Sequence, residues 1–408
     1  MPDIVPRGAS PANQIEGRAV NLIGHLQPRG EASLVRAPGR VNLIGEHTDY
    51  NSGFVLPAAI DREIWIAFEP LDEPAVELTS LDVGETRSFR FADLEPVREG
   101  ATWIDYVAAT AWSMREAGLQ IRGFRGILDS TIPTGAGLSS SAALELASSW
   151  ALADPDSERP TASRMAAITQ RGENAYVGVN CGIMDQFASA AGRVGCALFI
   201  DCRSNELMPV PMPAGLTIVV CDTGSPHRLG TSAYNERRSE CELGAALIGE
   251  RVPGVRTLRD VDEATFEANR ARLPGVVARR CEHVVRENAR VLETVAALEA
   301  GDLEAVGRLF AASHDSLRDL YEVSSPALDA MVEIAHGVPG VVAARMTGAG
   351  FGGCTVNLVR DEATEELSAR VVAEYPGRTG LTPRVFVAST VDGAGPFEAV
   401  PGRESQPR

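Results

Sequence analysis

Between Arg36 and Asn51 the chain reads RAPGRVNLIGEHTDYN, and Arg40, Asn42, Glu46, His47, Asp49 and Asn51 crowd hydrogen-bonding side chains into a short stretch. Such a density suits a polyhydroxylated ligand, since each hydroxyl leaving water needs both a donor and an acceptor. A polar β-turn with an incidental charge cluster accounts for the same residues about as well when they stand alone. A metal site from Glu46, His47 and Asp49 is a weaker reading, because no further histidine lies nearby to complete a ligand set.

A second segment, IPTGAGLSSSAALEL from Ile132 to Leu146, places glycines after a strand-like run and serines before a helical one. That order aims free backbone N–H groups and the positive end of a helix outward, which makes an anion site. Glycine lets a phosphate approach the backbone closely, and a serine hydroxyl can serve as a Mg²⁺ ligand. The bland alternative is an ordinary helix N-cap, which serine also favours. A third segment, RMTGAGFGGCT from Arg345 to Thr355, carries four glycines in six residues between two strand-like runs. It suits backbone contact with a ligand, or a tight turn. In VNCGIMDQF, Val179 to Phe187, Asp185 sits among Ile183, Met184 and Phe187. A carboxylate there is costly unless paired or hydrogen-bonded. An arginine partner would keep it ionised and ready to accept a proton, whereas a helix N-cap role would need no chemistry.

The elements that must hold these segments alternate in the first half and turn helical in the second. Strand-like runs are Ser33 to Pro38, Val55 to Ile60, Ile64 to Phe68, Phe124 to Ile132, Cys196 to Ile200 and Leu216 to Val220, with further strands across 70–100. Helical spacing covers Trp103 to Ala117, Ser139 to Ala153 and Thr161 to Tyr176, then Ser232 to Ile248, Glu263 to Arg270, Val276 to Glu299, Leu303 to Leu320 and Ala327 to His336. Strands return at Val341 to Met346, Cys354 to Val359 and Arg384 to Ala388. The expected organisation is a loose lead-in over 1–16, an N-terminal domain over 17–205, a C-terminal domain over 206–392 and a fraying tail over 393–408, in an α/β (α+β) fold.

Composition narrows the chemistry further. The 408 residues carry a net charge of −17, so an acidic surface repels phosphate backbones and nucleic acid is not an expected partner. There is no lysine: all 38 basic residues are arginine. This excludes a Gly-x-x-x-x-Gly-Lys phosphate loop, the strand lysine of a protein kinase and Schiff-base catalysis. Seven scattered cysteines, with no Cys-x-x-Cys pair, read as reduced thiols of a cytoplasmic protein. No run approaches a membrane span, and the N-terminus lacks the apolar stretch of a signal peptide.

Taken together, the segments resemble the galactokinases, within the GHMP kinase superfamily that also includes homoserine, mevalonate and phosphomevalonate kinases. GRVNLIGEHTDYN (Gly39 to Asn51) is similar to the galactokinase signature, and PTGAGLSSSA (Pro133 to Ala142) to the superfamily phosphate loop. CGIMDQ (Cys181 to Gln186) resembles the segment bearing the catalytic aspartate, and Arg345 to Cys354 the third superfamily motif. YEVSSPALD (Tyr321 to Asp329) and YNERR (Tyr234 to Arg238) also read as galactokinase segments, and order and spacing agree from about residue 33 to 390. The resemblance implies transfer of the γ-phosphoryl of ATP to the anomeric hydroxyl of galactose, with Mg²⁺ as cofactor and galactose and ATP as partners, in a two-domain GHMP-kinase-like fold with the active site in the interdomain cleft; a monomer is the default expectation. It implies Asp185 and Arg40 as catalytic, and Glu46, His47, Asp49, Gly182 and Tyr234 on the sugar. Gly135, Ala136, Gly137, Leu138, Ser139, Ser140 and Ser141 would wrap the ATP phosphates. Trp103 and Tyr106 would lie near the adenine, and Ser141 and Glu173 at Mg²⁺. Departures are Asn180 where proline is common, Ser325 where cysteine is common, and an atypical stretch from Cys221 to Gly230. The same resemblance leaves room for a kinase of N-acetylgalactosamine or arabinose, or for a non-catalytic galactose sensor. Arg40, Asp185 and the uninterrupted serine loop favour the active enzyme.

Overall fold

The computed structural model describes residues 11–97, 99–133, 135–225 and 230–397. The elements run α1 (Pro11–Leu26), β1 (Ser33–Asn42), β2 (Phe54–Val55), β3 (Pro57–Leu71), β4 (Ala75–Ser80), β5 (Glu85–Arg90), α2 (Trp103–Glu116), β6 (Gly123–Ser130), α3 (Ser140–Leu152), α4 (Ala162–Gly172), α5 (Met184–Ala191), β7 (Cys196–Asp201), β8 (Glu206–Pro211) and β9 (Leu216–Asp222). They continue with α6 (Gly230–Gly249), α7 (Glu263–Arg270), α8 (Gly275–Ala300), α9 (Leu303–Asp319), α10 (Pro326–His336), β10 (Val341–Thr347), β11 (Cys354–Arg360), α11 (Thr364–Thr379), β12 (Arg384–Ala388) and β13 (Gly395–Pro396).

A sheet in the order β13-β1-β3-β6-β4-β5 carries the first half of the chain. Alternation along β3 serves both of its faces: Ile64 and Ile66 join the main core with helices α2 to α5, while Trp65 and Ala67 meet α1. Ala19, Leu22 and Leu26, spaced for one helix face, form the apolar stripe of α1 that covers Trp65. The expected loose lead-in over 1–16 is therefore corrected for residues 11–16, which open this helix; residues 1–10 lie outside the described residues. At its midpoint β3 bulges against β1: pairing steps from Pro38 with Glu63 to Gly39 with Ile60. One long strand thus replaces the two expected at Val55 to Ile60 and Ile64 to Phe68.

The second half is built on a four-stranded sheet, β10-β11-β9-β12. One face packs on α10 and α11 through Val219, Val332, Leu367 and Tyr375. The other places Val220, Val356 and Leu358 in the same apolar cluster as Val35 of β1 and Phe310 of α9, so one core runs through both halves. Residue 205 falls in the β7–β8 hairpin turn, where Asn205 takes φ 60° and β7 pairs with β8 from Cys196–Pro211 to Asp201–Glu206. The fraying expected from residue 393 is corrected as far as 397: Gly395 and Pro396 pair with Arg36 and Val35 of β1, and Phe397 N–H donates to Leu34 O. Ser325, where the family pattern often has cysteine, caps α10 by accepting the Leu328 N–H. No helix among the described residues is long and apolar enough to cross a membrane.

Gly39 lies at the bulge with its Cα against the phosphate-loop candidate; a Cβ there would stand 2.5 Å from Leu138 O. The Arg40 N–H donates to that same carbonyl. Gly39→Ala is expected to cost about 1–3 kcal/mol through overpacking, read as a lowered unfolding midpoint in urea with an unchanged m-value.

Candidate active site

Arg40, on β1 and 5 % exposed, is the meeting point of three segments. Its Nε and Nη2 donate to the two carboxylate oxygens of Asp185 at 2.8 and 2.9 Å, and its Nη1 donates to Gly137 O at 2.7 Å. Ser139 Oγ donates to Asp185 Oδ2 at 2.5 Å. Asp185 is the second residue of α5, not its N-cap, which is Ile183. The fork-to-carboxylate geometry answers the cost of setting a carboxylate among Ile183, Met184 and Phe187. Because the Asp185 side chain stays partly exposed, an approaching hydroxyl has access to it.

The loop from Gly135 to Ser139 wraps this pair. Gly135, Gly137 and Ser139 take φ of 73, 73 and 62°, which turns the backbone back on itself ahead of α3. Ala136 and Leu138 send their side chains into the core, so what they offer a ligand is backbone. Ser140 opens α3 with an exposed side chain and Ser141 follows. Thr134 lies outside the described residues.

The turn after β1 is shaped by residues far along the chain. Arg345, fully buried on β10, donates to Leu43 O at 2.8 Å and pairs with Glu46. Gly348 N–H donates to Glu46 Oε1, and Glu287 on α8 accepts the Gly45 N–H, both at 3.0 Å. His283 donates from Nε2 to Glu46 O at 3.1 Å. His47, in the left-handed region at φ 65°, donates from Nε2 to Ala349 O at 3.2 Å, which leaves Nδ1 to accept from the Tyr50 hydroxyl at 2.9 Å. Burial pushes the His47 imidazole down to about 3, so it stands neutral. The third glycine segment thus grips the turn through the Arg345 and Thr347 side chains and the Gly348 and Ala349 backbone.

Asp49 and Gly182 fit each other. A Cβ on Gly182 would lie 1.7 Å from Asp49 Oδ2, so only glycine leaves room for that carboxylate. The Tyr50 and Met184 backbones and the Asp185 charge lie near enough to act on the Asp49 carboxyl. Tyr234, on α6, lies with its ring 5.6 Å from His47 and 5.3 Å from Tyr50. Residues 226–229 of the atypical stretch before it lie outside the described residues.

Beside Asp185 sits an acidic pocket that the sequence reading reached only in part. Glu173 opens a π-turn (Glu173–Val177) at the end of α4 and is 5 % exposed. Its Oε2 accepts from Gln186 Nε2 at 2.7 Å and from Cys181 Sγ at 3.2 Å, and the Ser141 side chain lies close enough to act on its carboxylate. Burial pushes Glu173 up to about 7. Glu145, fully buried on α3, is raised well above the usual carboxylate range by burial and by Glu173. A hydroxyl and a carboxylate in a pocket of excess negative charge are hard oxygen donors suited to Mg²⁺. No group of three or more His, Cys, Asp and Glu side chains among the described residues is arranged to hold a metal, so the remaining ligands would come from nucleotide phosphate and water. Trp103 and Tyr106 stand on the first turn of α2, both partly buried. The Trp103 indole donates to Glu85, and Glu173 and Glu145 add to the burial that raises the Tyr106 phenol to about 12.

The structure therefore joins Arg40, Asp185, Gly137 and Ser139 directly, and sets Ser141 against Glu173 and Asp49 against Gly182. It turns Glu46 and both His47 nitrogens toward protein partners. Arg345, Glu287, Glu145 and Gln186 were not anticipated. The available signal was a charged or polar side chain at a position otherwise apolar by periodicity.

Asp49 gives the pocket a pH signature. Burial and the Asp185 charge raise its pKa from 3.8 to about 6. Its folded value lies above its unfolded one, so protonation favours the folded state; the stability it adds is present below about pH 4 and lost as pH rises through 6. The unfolding midpoint of the ligand-free protein between pH 4 and 6 should carry a component that Asp49→Asn removes; identical profiles would contradict the shift.

Three family models match the chain: a galactokinase galactose-binding signature over residues 27–70, the GHMP kinase N-terminal domain over 105–193 and the GHMP kinase C-terminal domain over 294–377. A galactokinase from Roseiflexus sp. (strain RS-1) is 42 % identical over 362 residues, 89 % of this chain and 92 % of that protein. One from Chloroflexus aggregans is 42 % identical over 364 residues, with the same coverages. The crystal structure of Lactococcus lactis galactokinase complexed with galactose superimposes with a TM-score of 0.87 at 34 % identity, covering 94 % of this chain and 99 % of that one. With this identity sustained over nearly nine-tenths of its length, the chain belongs to the galactokinase family, ATP-dependent sugar kinases of the GHMP fold.

Proposed function

We propose that this site binds galactose and Mg-ATP side by side and transfers the γ-phosphoryl group to the anomeric hydroxyl. The observation that carries this reading is the Arg40–Asp185 pair, which opens directly onto the Gly137 to Ser139 backbone. A carboxylate able to receive the sugar hydroxyl and an arginine able to meet a phosphoryl oxygen are held as one unit.

Phosphoryl transfer demands alignment and charge neutralisation more than covalent help. In this reading backbone N–H groups between Gly135 and Ser141 and the start of α3 hold the ATP phosphates, and Trp103 and Tyr106 border the adenine. Asp185 orients the anomeric O–H and receives its proton as the new O–P bond forms and the bond to the leaving ADP oxygen breaks. Arg40 faces the charge spread over the γ-phosphoryl oxygens while keeping Asp185 in place. Ser141 and Glu173 would hold Mg²⁺, which neutralises charge on the phosphates when bound. Asp49 and Tyr234 read the sugar hydroxyls, with Gly182 giving Asp49 its room. Glu46 and His47 act from the other side of the turn: Glu46 bound to Arg345 and His47 bridging to Ala349 fix the shape that the sugar meets. The reaction belongs in the cytoplasm, where the seven free thiols stay reduced.

The direct test is ADP release by purified protein with Mg-ATP and galactose, glucose, arabinose, N-acetylgalactosamine, mevalonate or homoserine. Galactose-selective release is expected; selective release with another compound would reassign the acceptor. Folded protein that binds galactose yet releases no ADP with any of them would make the chain a sensor. For the catalytic carboxylate, Asp185→Asn should lower kcat by roughly 10²–10⁴-fold while galactose still binds in equilibrium dialysis. Turnover near that of the unsubstituted enzyme would remove Asp185 from proton transfer.

A further inference from the structure

Gln186 has no place in the transfer described above, yet it is fully buried one residue after Asp185. Its Nε2 donates to Glu145 Oε2 at 3.1 Å and to Glu173 Oε2 at 2.7 Å. A side-chain amide has two N–H donors, and both are spent on carboxylates. The orientation follows from chemistry: the reverse would set the amide oxygen against two carboxylates. Its Oε1 and Glu145 Oε1 have no hydrogen-bond partner, so the amide meets the pocket through its N–H groups alone.

The three residues belong to three helical segments. Glu145 is on α3, four residues after Ser141; Glu173 opens the π-turn after α4; Gln186 is on α5. Where α-helix gives way to π-turn the side-chain register is offset, a geometry often found at functional sites. Glu173 therefore leans on outside partners for its rotamer, and Gln186 supplies a 2.7 Å bond to it. Ser141, Glu145, Glu173 and Gln186 together tie the serine loop, the carboxylate and the Asp185 helix into one unit.

We propose that Gln186, anchored by Glu145, is the positioning residue that holds the Glu173 carboxylate ready for the divalent cation. The proposal rests on the reading of Glu173 as a cation ligand. Partners that hold a metal ligand in place change metal affinity by about 10–100-fold when removed. Glu145 lends Gln186 an acceptor, so a glutamine at 145, which keeps a carbonyl acceptor, should preserve the bridge.

The test is Mn²⁺ binding, followed by electron paramagnetic resonance, to protein carrying galactose and a non-hydrolysable ATP analogue. Gln186→Leu is expected to weaken Mn²⁺ about 10–100-fold while galactose affinity and the unfolding midpoint in urea stay close to those of the unsubstituted protein. Glu145→Gln should stay within a few-fold for Mn²⁺. Glu173→Gln is measured alongside. If Glu173→Gln weakens Mn²⁺ and Gln186→Leu does not, the positioning role falls and the ligand reading stands. If neither weakens it, the ligand reading falls and takes the proposal with it. A Gln186→Leu protein that loses galactose affinity and stability in step with Mn²⁺ would show a purely structural role, and would overturn the proposal.

Discussion

The site turns on one buried guanidinium. Arg40 leaves β1 where that strand pairs with Ala59 of β3, and must find acceptors for its donors inside the protein. It finds two on Asp185 and one on Gly137 O. Through those bonds the strand leading into the polar signature, the phosphate-loop candidate and the helix carrying Asp185 share one geometry. The bulge at Gly39 brings β1 close enough to Leu138 for this to happen. Arginine is the suited residue because its planar fork matches a carboxylate and its charge does not titrate away.

A second buried arginine does for the polar turn what Arg40 does for the reacting groups. Arg345 is fully buried with Glu46 beside it, and Glu287 binds Arg290, Ser313 and the Gly45 N–H. Buried ion pairs return little net stability once desolvation is counted, but removing one partner leaves an uncompensated charge. Their effect here is to give the turn a single shape. Asn42, Leu43, Gly45, Glu46 and Phe54 each use a backbone group on a side chain from residues 283–347. The halves of the chain therefore build the polar turn together, and the apolar core that runs from Val35 to Val356 keeps them in register.

Charge is also graded across the pocket. Asp185 is neutralised by an arginine at contact distance, whereas Glu173 and Glu145 face hydrogen-bond donors but no arginine among the described residues. The first arrangement gives a carboxylate a fixed counter-charge. The second raises carboxylate pKa values and leaves a pocket that gains from a cation. The chain has no lysine to set against these carboxylates.

Much of the site was legible locally. Glycines at 135 and 137 followed by serines announce a turn into a helix N-terminus, because left-handed backbone is a property of a few adjacent residues; that the Ser139 hydroxyl serves Asp185 and does not cap α3 was not legible. Several helices were legible for the same reason, through their apolar period. Helices α1, α5 and α11 were not, because part of their apolar surface acquires meaning only against a partner: the α1 stripe against Trp65, and α11 against the sheet face at Val219. Nor could the sequence show that Glu46 turns to Arg345, that Asp49 occupies the space left by Gly182, or that Gln186 bridges two glutamates 28 residues apart. The sequence by itself determined which groups were on hand: arginine without lysine, the glycine–serine loop, the aspartate in an apolar run. Only the tertiary structure decided which carboxylate meets an arginine and which meets another carboxylate, because desolvation and charge pairing depend on distances that the chain sets only when it is folded.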